Sequence, residues 1–298
     1  IGWTRPVMYT ALIGLSVNLA GNLLLTRGSF GIPSLGATGC GIATALAYWS
    51  MLATMHIYQR RHAIYARFGL FEHFEHPDPA SLREILALGL PIAGSVVSEG
   101  GLFAVAALLM STLGTEIVAA HQIAINYASA MFMIPLALHS ATTIHVGHQA
   151  GRGDFAGARR AGWAGIAMCG MIMALSSLVV LQARHGIAAA YTADAKVRTL
   201  AAGLLLFVAI FQIPDGLQVG TAGALRGFKD AKIPMALNFA AYWLVGFPLA
   251  WWFGIHMGVG PSGIWTGLIA GLFTCAVLLI WRYERTSRHA PAAQSAST

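Results

Sequence analysis

Glu99 lies within the apolar run from Leu86 to Leu113, and Asp215 within the run from Leu200 to Leu225. The other nine of the eleven acidic residues fall in loops or at the ends of apolar runs. A carboxylate at the centre of a bilayer costs about 2.5–3.5 kcal/mol on insertion scales. Two carboxylates kept in long apolar helices are suited to binding a cation or a proton. The flanking residues agree with that chemistry. Asp215 has Gln212 at i−3 and Gln218 at i+3, and Pro214 beside it removes a backbone donor and disturbs the carbonyl of Ile210. Glu99 has Ser95 at i−4 and Phe103 at i+4. Gln122, Asn126 and Ser129 form one stripe of a third run, continued by Met133. These are hard oxygen donors of the kind Na⁺ takes. The same two acids could hold a proton, and charge alone does not choose between H⁺ and Na⁺.

A lipophilic cation favours aromatic faces and polarisable walls. Phe103, Met110, Met131, Phe132, Met133, Phe207 and Phe211 could supply them, although such residues at helical spacing commonly face lipid or neighbouring helices. His145 and His148 lack the Glu of an HExxH zinc motif and read as part of a loop at the membrane surface. Cys40, Cys169 and Cys275 share no metal-ligand spacing and read as small packing residues. No nucleophile–base pair lies in the apolar runs, so an enzyme is not expected, nor is an organic cofactor.

The elements that carry these residues must be membrane helices. The 298 residues are 57% hydrophobic and only 10% charged, against about 25% charged in soluble domains. Apolar runs of about 20 residues mark bilayer spans. Eight are expected, at 7–26, 37–58, 84–112, 118–142, 160–183, 198–224, 233–254 and 262–282. Strict alternation is absent, which argues against a β-barrel. The fold class is therefore all-α integral membrane protein. With eight spans, fourteen of the eighteen Lys and Arg residues fall on the side that holds both termini, and the positive-inside rule makes that side cytoplasmic. The net charge of +7 reads as topology rather than as a nucleic-acid surface. The opening Ile1-Gly2-Trp3 has neither an initiator Met nor the basic region of a signal peptide.

Spans 1–2 resemble spans 7–8. Pro6 corresponds to Pro234, and Gly41-Ile42-Ala43-Thr44-Ala45-Leu46 corresponds to Gly263-Ile264-Trp265-Thr266-Gly267-Leu268, at offsets of 228 and 222 residues. A repeated unit of this kind implies two parallel lobes, the first missing about 140 residues and four helices upstream of Ile1. Residues 1–58 are then the last two helices of one lobe and 59–82 a cytoplasmic linker. Residues 83–283 form a six-helix lobe, and 284–298 a disordered tail.

Several strings resemble the multidrug and toxic compound extrusion (MATE) transporters, of the bacterial branch typified by NorM. They are Arg5-Pro6-Val7-Met8 through Asn18 and Asn22, Leu88-Gly89-Leu90-Pro91 with Glu99, and Ala119-Ala120-His121-Gln122-Ile123-Ala124-Ile125-Asn126. Phe211-Gln212-Ile213-Pro214-Asp215 and Leu225-Arg226-Gly227-Phe228-Lys229-Asp230 complete the set. The resemblance runs from helix five to helix twelve of that family. It implies an H⁺- or Na⁺-coupled antiporter of the bacterial inner membrane. Such an antiporter expels small organic cations by alternating access through a cleft between two lobes. Glu99 and Asp215 match acids of its second-lobe cation site, with Asn126, Gln122 and Gln212 as further candidate ligands. Phe103, Met133, Phe207, Phe211, Asn18 and Asn22 are candidates for the substrate cleft. Family members often carry Tyr at the position of Phe211. A flippase of the same superfamily would want a cleft rich in Arg and Lys, and these spans carry almost none. A scaffold fragment that transports nothing has no need of two intramembrane acids.

Overall fold

A computed structural model describes residues 5–28, 33–62 and 78–294. All regular structure among the described residues is helical. The helices are α1 (Arg5–Arg27), α2 (Gly36–Arg61), α3 (Pro79–Ser111), α4 (Thr115–Gly151), α5 (Phe155–Tyr191), α6 (Ala195–Gly227), α7 (Lys232–His256) and α8 (Pro261–Gln294). Within α7, α-helical stretches at Lys232–Ala240 and Phe247–Trp251 alternate with π-helical turns at Ala241–Gly246 and Trp252–His256. All eight are long and apolar enough to cross a membrane. Each expected span falls inside one of them to within a residue.

The helices outrun the apolar stretches because polar residues extend them beyond the hydrocarbon. His145 and His148 sit on the last turns of α4, not in a loop. At the chain's far end α8 continues to Gln294, where a disordered tail from 284 was expected. Ion pairs fasten that extension: Glu284 meets Arg159 of α5 at 2.6 Å and Arg288 one turn on at 2.6 Å. Most of the expected linker, residues 63–77, lies outside the described residues.

The chain divides into two compact units, Ile1–Asp78 and Pro79–Thr298. In the first, α1 and α2 form an antiparallel pair. The register is read from Gly21, where an added methyl would sit 2.9 Å from the Ala43 side chain, and from Gly39, where it would sit 2.7 Å from the Leu25 carbonyl. Asn22 Nδ2 donates to Asn18 Oδ1 at 3.0 Å, and Asn18 Nδ2 to Thr44 Oγ1 at 3.4 Å.

The second unit is built around α6, which packs against α4, α5 and α8 and is buried along most of the stretch from Phe211 to Leu225. Small residues permit this enclosure. A methyl on Gly216 would meet Met173 and the Cys169 carbonyl within 2.9 Å, and one on Gly223 would lie 2.7 Å from the His139 carbonyl. Pro214 sits inside α6 without ending it. Spans α7 and α8 approach in the same way, with Gly246, Ala250 and Gly254 facing Gly271, Gly267 and Gly263. Interfaces of small residues are how helices associate where lipid offers no hydrophobic drive. Side chains such as Val97, Leu108, Leu175, Leu244 and Phe273 point outward, forming an apolar surface suited to acyl chains.

Asp154 and Asp194 cap the first turns of α5 and α6. Asp154 accepts from Gly157 N at 2.7 Å, and Asp194 from Lys196 N at 2.8 Å and Val197 N at 3.2 Å.

The α7–α8 contact yields a direct expectation. Gly267→Val drives a branched side chain into the Ala250 backbone and costs about 1–3 kcal/mol or more. Gly203→Ala, at a position with open space, is neutral or mildly stabilising. Thermal unfolding of both variants in detergent checks this.

Candidate functional site

The acids of the second unit fall into two groups. Asp154 and Asp194 cap helices. Glu84 pairs with Lys229 at 2.9 Å, Glu116 with Lys196 at 3.4 Å, Asp230 with Arg282 at 2.8 Å, and Glu284 with Arg159 and Arg288. Glu99 and Asp215 do neither: among the described residues no basic group lies within ion-pairing distance of them, and neither caps a helix.

Both acids line one cavity of about 550 Å³ inside the second unit. Asp215 comes from the middle of α6 and is 3% exposed; Glu99 comes from α3 and is half-buried. Gln218, one turn beyond Asp215, links the groups. Its Nε2 donates to Glu99 Oε1 at 3.2 Å, and its amide also interacts with Asp215. Its Oε1 accepts a 2.6 Å hydrogen bond from Tyr242 Oη of α7. Ser95 and Asn238 add polar atoms to the wall, and Arg226 adds a half-buried guanidinium that forms no ion pair among the described residues.

Phe103, Phe132 and Phe211, with Met133, give the cavity its apolar face. The rings of Phe103 and Phe211 meet edge to face with centroids 5.8 Å apart, and Phe211 meets Trp265 at 5.7 Å. Such contacts fix the rings against each other. His139 of α4 also lines the cavity. Its Nδ1 lies 2.8 Å from the Val219 carbonyl, which makes Nδ1 the protonated nitrogen and leaves Nε2 as the acceptor. Thr143, one turn on, donates to the Gly223 carbonyl at 2.8 Å. Together they lock α4 to α6 below the acids.

Of the residues expected at the site, Glu99, Asp215, Phe103, Met133 and Phe211 come together here. Asn126, Gln122, Gln212 and Phe207 do not line the cavity. On α4 the cavity stripe runs through Ile125, Ser129, Phe132, Leu136 and His139. It is rotated from the stripe through Gln122 and Asn126, which turn to the exposed side. Asn126 Oδ1 accepts from Tyr191 Oη at 2.8 Å instead. Gln212 is fully buried, and neither end of its amide has a partner among the described residues. Phe207 packs against the core. Asn18 and Asn22 bond within the α1–α2 unit.

The residues that sequence reasoning missed are His139, Asn238 and Tyr242. Asn238 carried a signal, as an amide inside an apolar span. Tyr242 and His139 carried none, because either fits a packing role at its position.

Eight helices long and apolar enough to cross a membrane, with two carboxyls on one aromatic-lined cavity, define a polytopic all-helical membrane protein. The comparisons with known proteins narrow it. Residues 91–252 match the MatE family, and the chain belongs to that family. It is 46% identical over 286 residues to the "Probable multidrug resistance protein NorM" of Xanthomonas campestris pv. campestris, covering 96% of this chain and 62% of that protein. It is 39% identical over 292 residues to multidrug resistance protein PmpM of Pseudomonas aeruginosa, covering 97% and 61%. The chain thus spans about 62% of the length of the curated relatives it matches. The crystal structure of the eukaryotic MATE transporter AtDTX14 superposes with a TM-score of 0.85 at 21% identity, over 97% of this chain and 64% of that one.

The division of the acids has a measurable consequence. Glu99→Gln and Asp215→Asn leave thermal stability unchanged or raised, because a neutral amide is cheaper to bury than a lone carboxylate. Asp230→Ala lowers stability by about 1–3 kcal/mol, because it removes the acceptor of the Arg282 and Thr286 bonds. Comparing the unfolding of the three variants in detergent separates the two groups.

Proposed function

We propose that this chain is the ion-coupling portion of a cation-driven antiporter that exports small organic cations from the bacterial cytoplasm. The observation that carries this is the pair Glu99 and Asp215, neither capped nor ion-paired, facing one 550 Å³ cavity with three phenylalanine rings. A cavity of that size suits a drug-sized solute. Aromatic faces favour a cation, and the carboxyls supply the opposing charge. The names carried by the relatives, multidrug resistance proteins NorM and PmpM, agree with this reading.

The mechanism follows from competition. A carboxyl that has taken up the coupling ion no longer attracts an organic cation. Ion entry from outside therefore discharges the substrate, and ion release inside restores the site. An inward gradient drives the cycle, each 100 mV contributing about 2.3 kcal/mol per charge moved across. Of the two coupling ions, the donor set favours H⁺. Gln218 turns its NH₂ toward Glu99 and commits its oxygen to Tyr242. Na⁺ would need several oxygens, and here a donor occupies the ground beside the carboxylate.

Residues 1–58 are read as the closing pair of an upstream lobe, residues 83–283 as the six-helix lobe, and both termini as cytoplasmic. A flippase for anionic lipid-linked sugars is less well supported, since Arg226 is the one Lys or Arg on the cavity lining among the described residues.

The test uses the intact transporter that contains this chain. In everted vesicles, uptake of a cationic dye follows an imposed pH gradient, collapses with a protonophore and persists without Na⁺. Glu99→Gln and Asp215→Asn each abolish coupled uptake while the proteins remain folded. Uptake that survives both substitutions would overturn the assignment of the site. Wild-type protein that moves no cationic dye would overturn export.

A further inference from the structure

The hydrogen bonds around Glu99 have a direction, and it originates in α7. Tyr242 is completely buried, and its Oη donates to Gln218 Oε1 at 2.6 Å. A glutamine amide has one accepting end and one donating end. Once the phenol has taken the oxygen, only the NH₂ remains for Glu99, which receives it at 3.2 Å. The next residue of α7 reaches the same stretch of α3: Trp243 Nε1 donates to Ser98 Oγ at 3.0 Å. Two consecutive residues of α7 thus hold two consecutive residues of α3, one directly and one through Gln218.

The backbone explains how adjacent residues manage this. Tyr242 and Trp243 lie on the π-turn Ala241–Gly246. A π-turn widens the helix and redirects side chains, and such turns recur at functional sites. The turn is clamped from behind, since a methyl on Gly246 would lie 3.2 Å from Gly271 Cα. The hydroxyl of Tyr242 therefore has a fixed aim.

We infer that Tyr242 is a positioning residue for Glu99: acting through Gln218, it keeps a hydrogen-bond donor against that carboxyl and so favours its ion-free form. The inference rests on the proposed function only in taking Glu99 as a coupling group; the relay itself is independent of what is exported.

Dicyclohexylcarbodiimide, which modifies protonated carboxyls in apolar surroundings, reads this directly. Labelling of Glu99 is followed by peptide mass spectrometry on the intact membrane protein at fixed pH. Tyr242→Phe keeps the ring and removes only the hydroxyl. Loss of the oriented donor raises the initial labelling rate at Glu99 by about ten-fold. Gln218→Leu, which leaves the π-turn untouched, gives the same rise, and the double variant is no faster than either single one. A Tyr242 that merely fills space predicts the wild-type rate in Tyr242→Phe. That result, or additive effects in the double variant, overturns the inference, and should Tyr242→Phe fail to fold, a wild-type rate in Gln218→Leu does so. Dye transport by the wild-type protein, measured separately, tests the proposed function. A protein that exports no dye yet shows the labelling shift refutes export and retains the relay.

Discussion

A carboxyl group in the middle of a membrane helix must be kept from lipid on every side, and the second unit is organised around that requirement at Asp215. Enclosure demands close neighbours, and close neighbours demand small residues. Gly216, Gly220 and Gly223 follow Asp215 along α6 and admit α4 and α5 nearly to backbone contact. Beside this packed stretch, a cavity stays open, bounded by Asp215, Glu99 and the phenylalanine rings. Packing and site are thus one arrangement: the helix that could not face lipid became the axis, and its polar residues became the cavity wall.

The remaining charges show what that cavity is spared. Acids at helix ends are consumed by capping or by Lys and Arg partners, most of them well exposed, where such pairs contribute little individually. The Asp230–Arg282 pair is more enclosed and also engages Thr286, tying the α6–α7 connection to the far end of α8. The Gln218 amide donates to Glu99, and Arg226 lines the same cavity without forming an ion pair with either acid among the described residues.

Much of this was legible in the residues. The eight spans follow from apolar length, and the two acids from their position in them. Helix faces were harder. Gln122 and Asn126 share a stripe with Ser129 by spacing alone, but the cavity meets only the Ser129 and Met133 part of that stripe, and spacing does not say where along a 37-residue helix the cavity begins. The neighbours decide, and Tyr191 takes Asn126 to the outside. Gln212 is one residue from Phe211 yet misses the cavity, because a shift of one residue rotates a side chain by about 100°. Tyr242 was hidden for a different reason. Its aim depends on a departure from α-helical geometry, and a pattern read at 3.6 residues per turn cannot register it.

That departure can also be stated in the terms of chain length. A π-turn holds one more residue than the α-turn it replaces, so α7 with its two π-turns behaves as an α-helix carrying two single-residue insertions. Each insertion offsets everything before it by about 100° relative to everything after it. The half bearing Asn238 reaches both the cavity and Cys275 of α8, while Ala250 and Gly254 meet the glycines of α8. Removing a single residue from Ala241–Gly246 would turn one half against the other by about 100° and break this set of contacts. For this span, the number of residues between two contacts constrains the sequence as tightly as their identity.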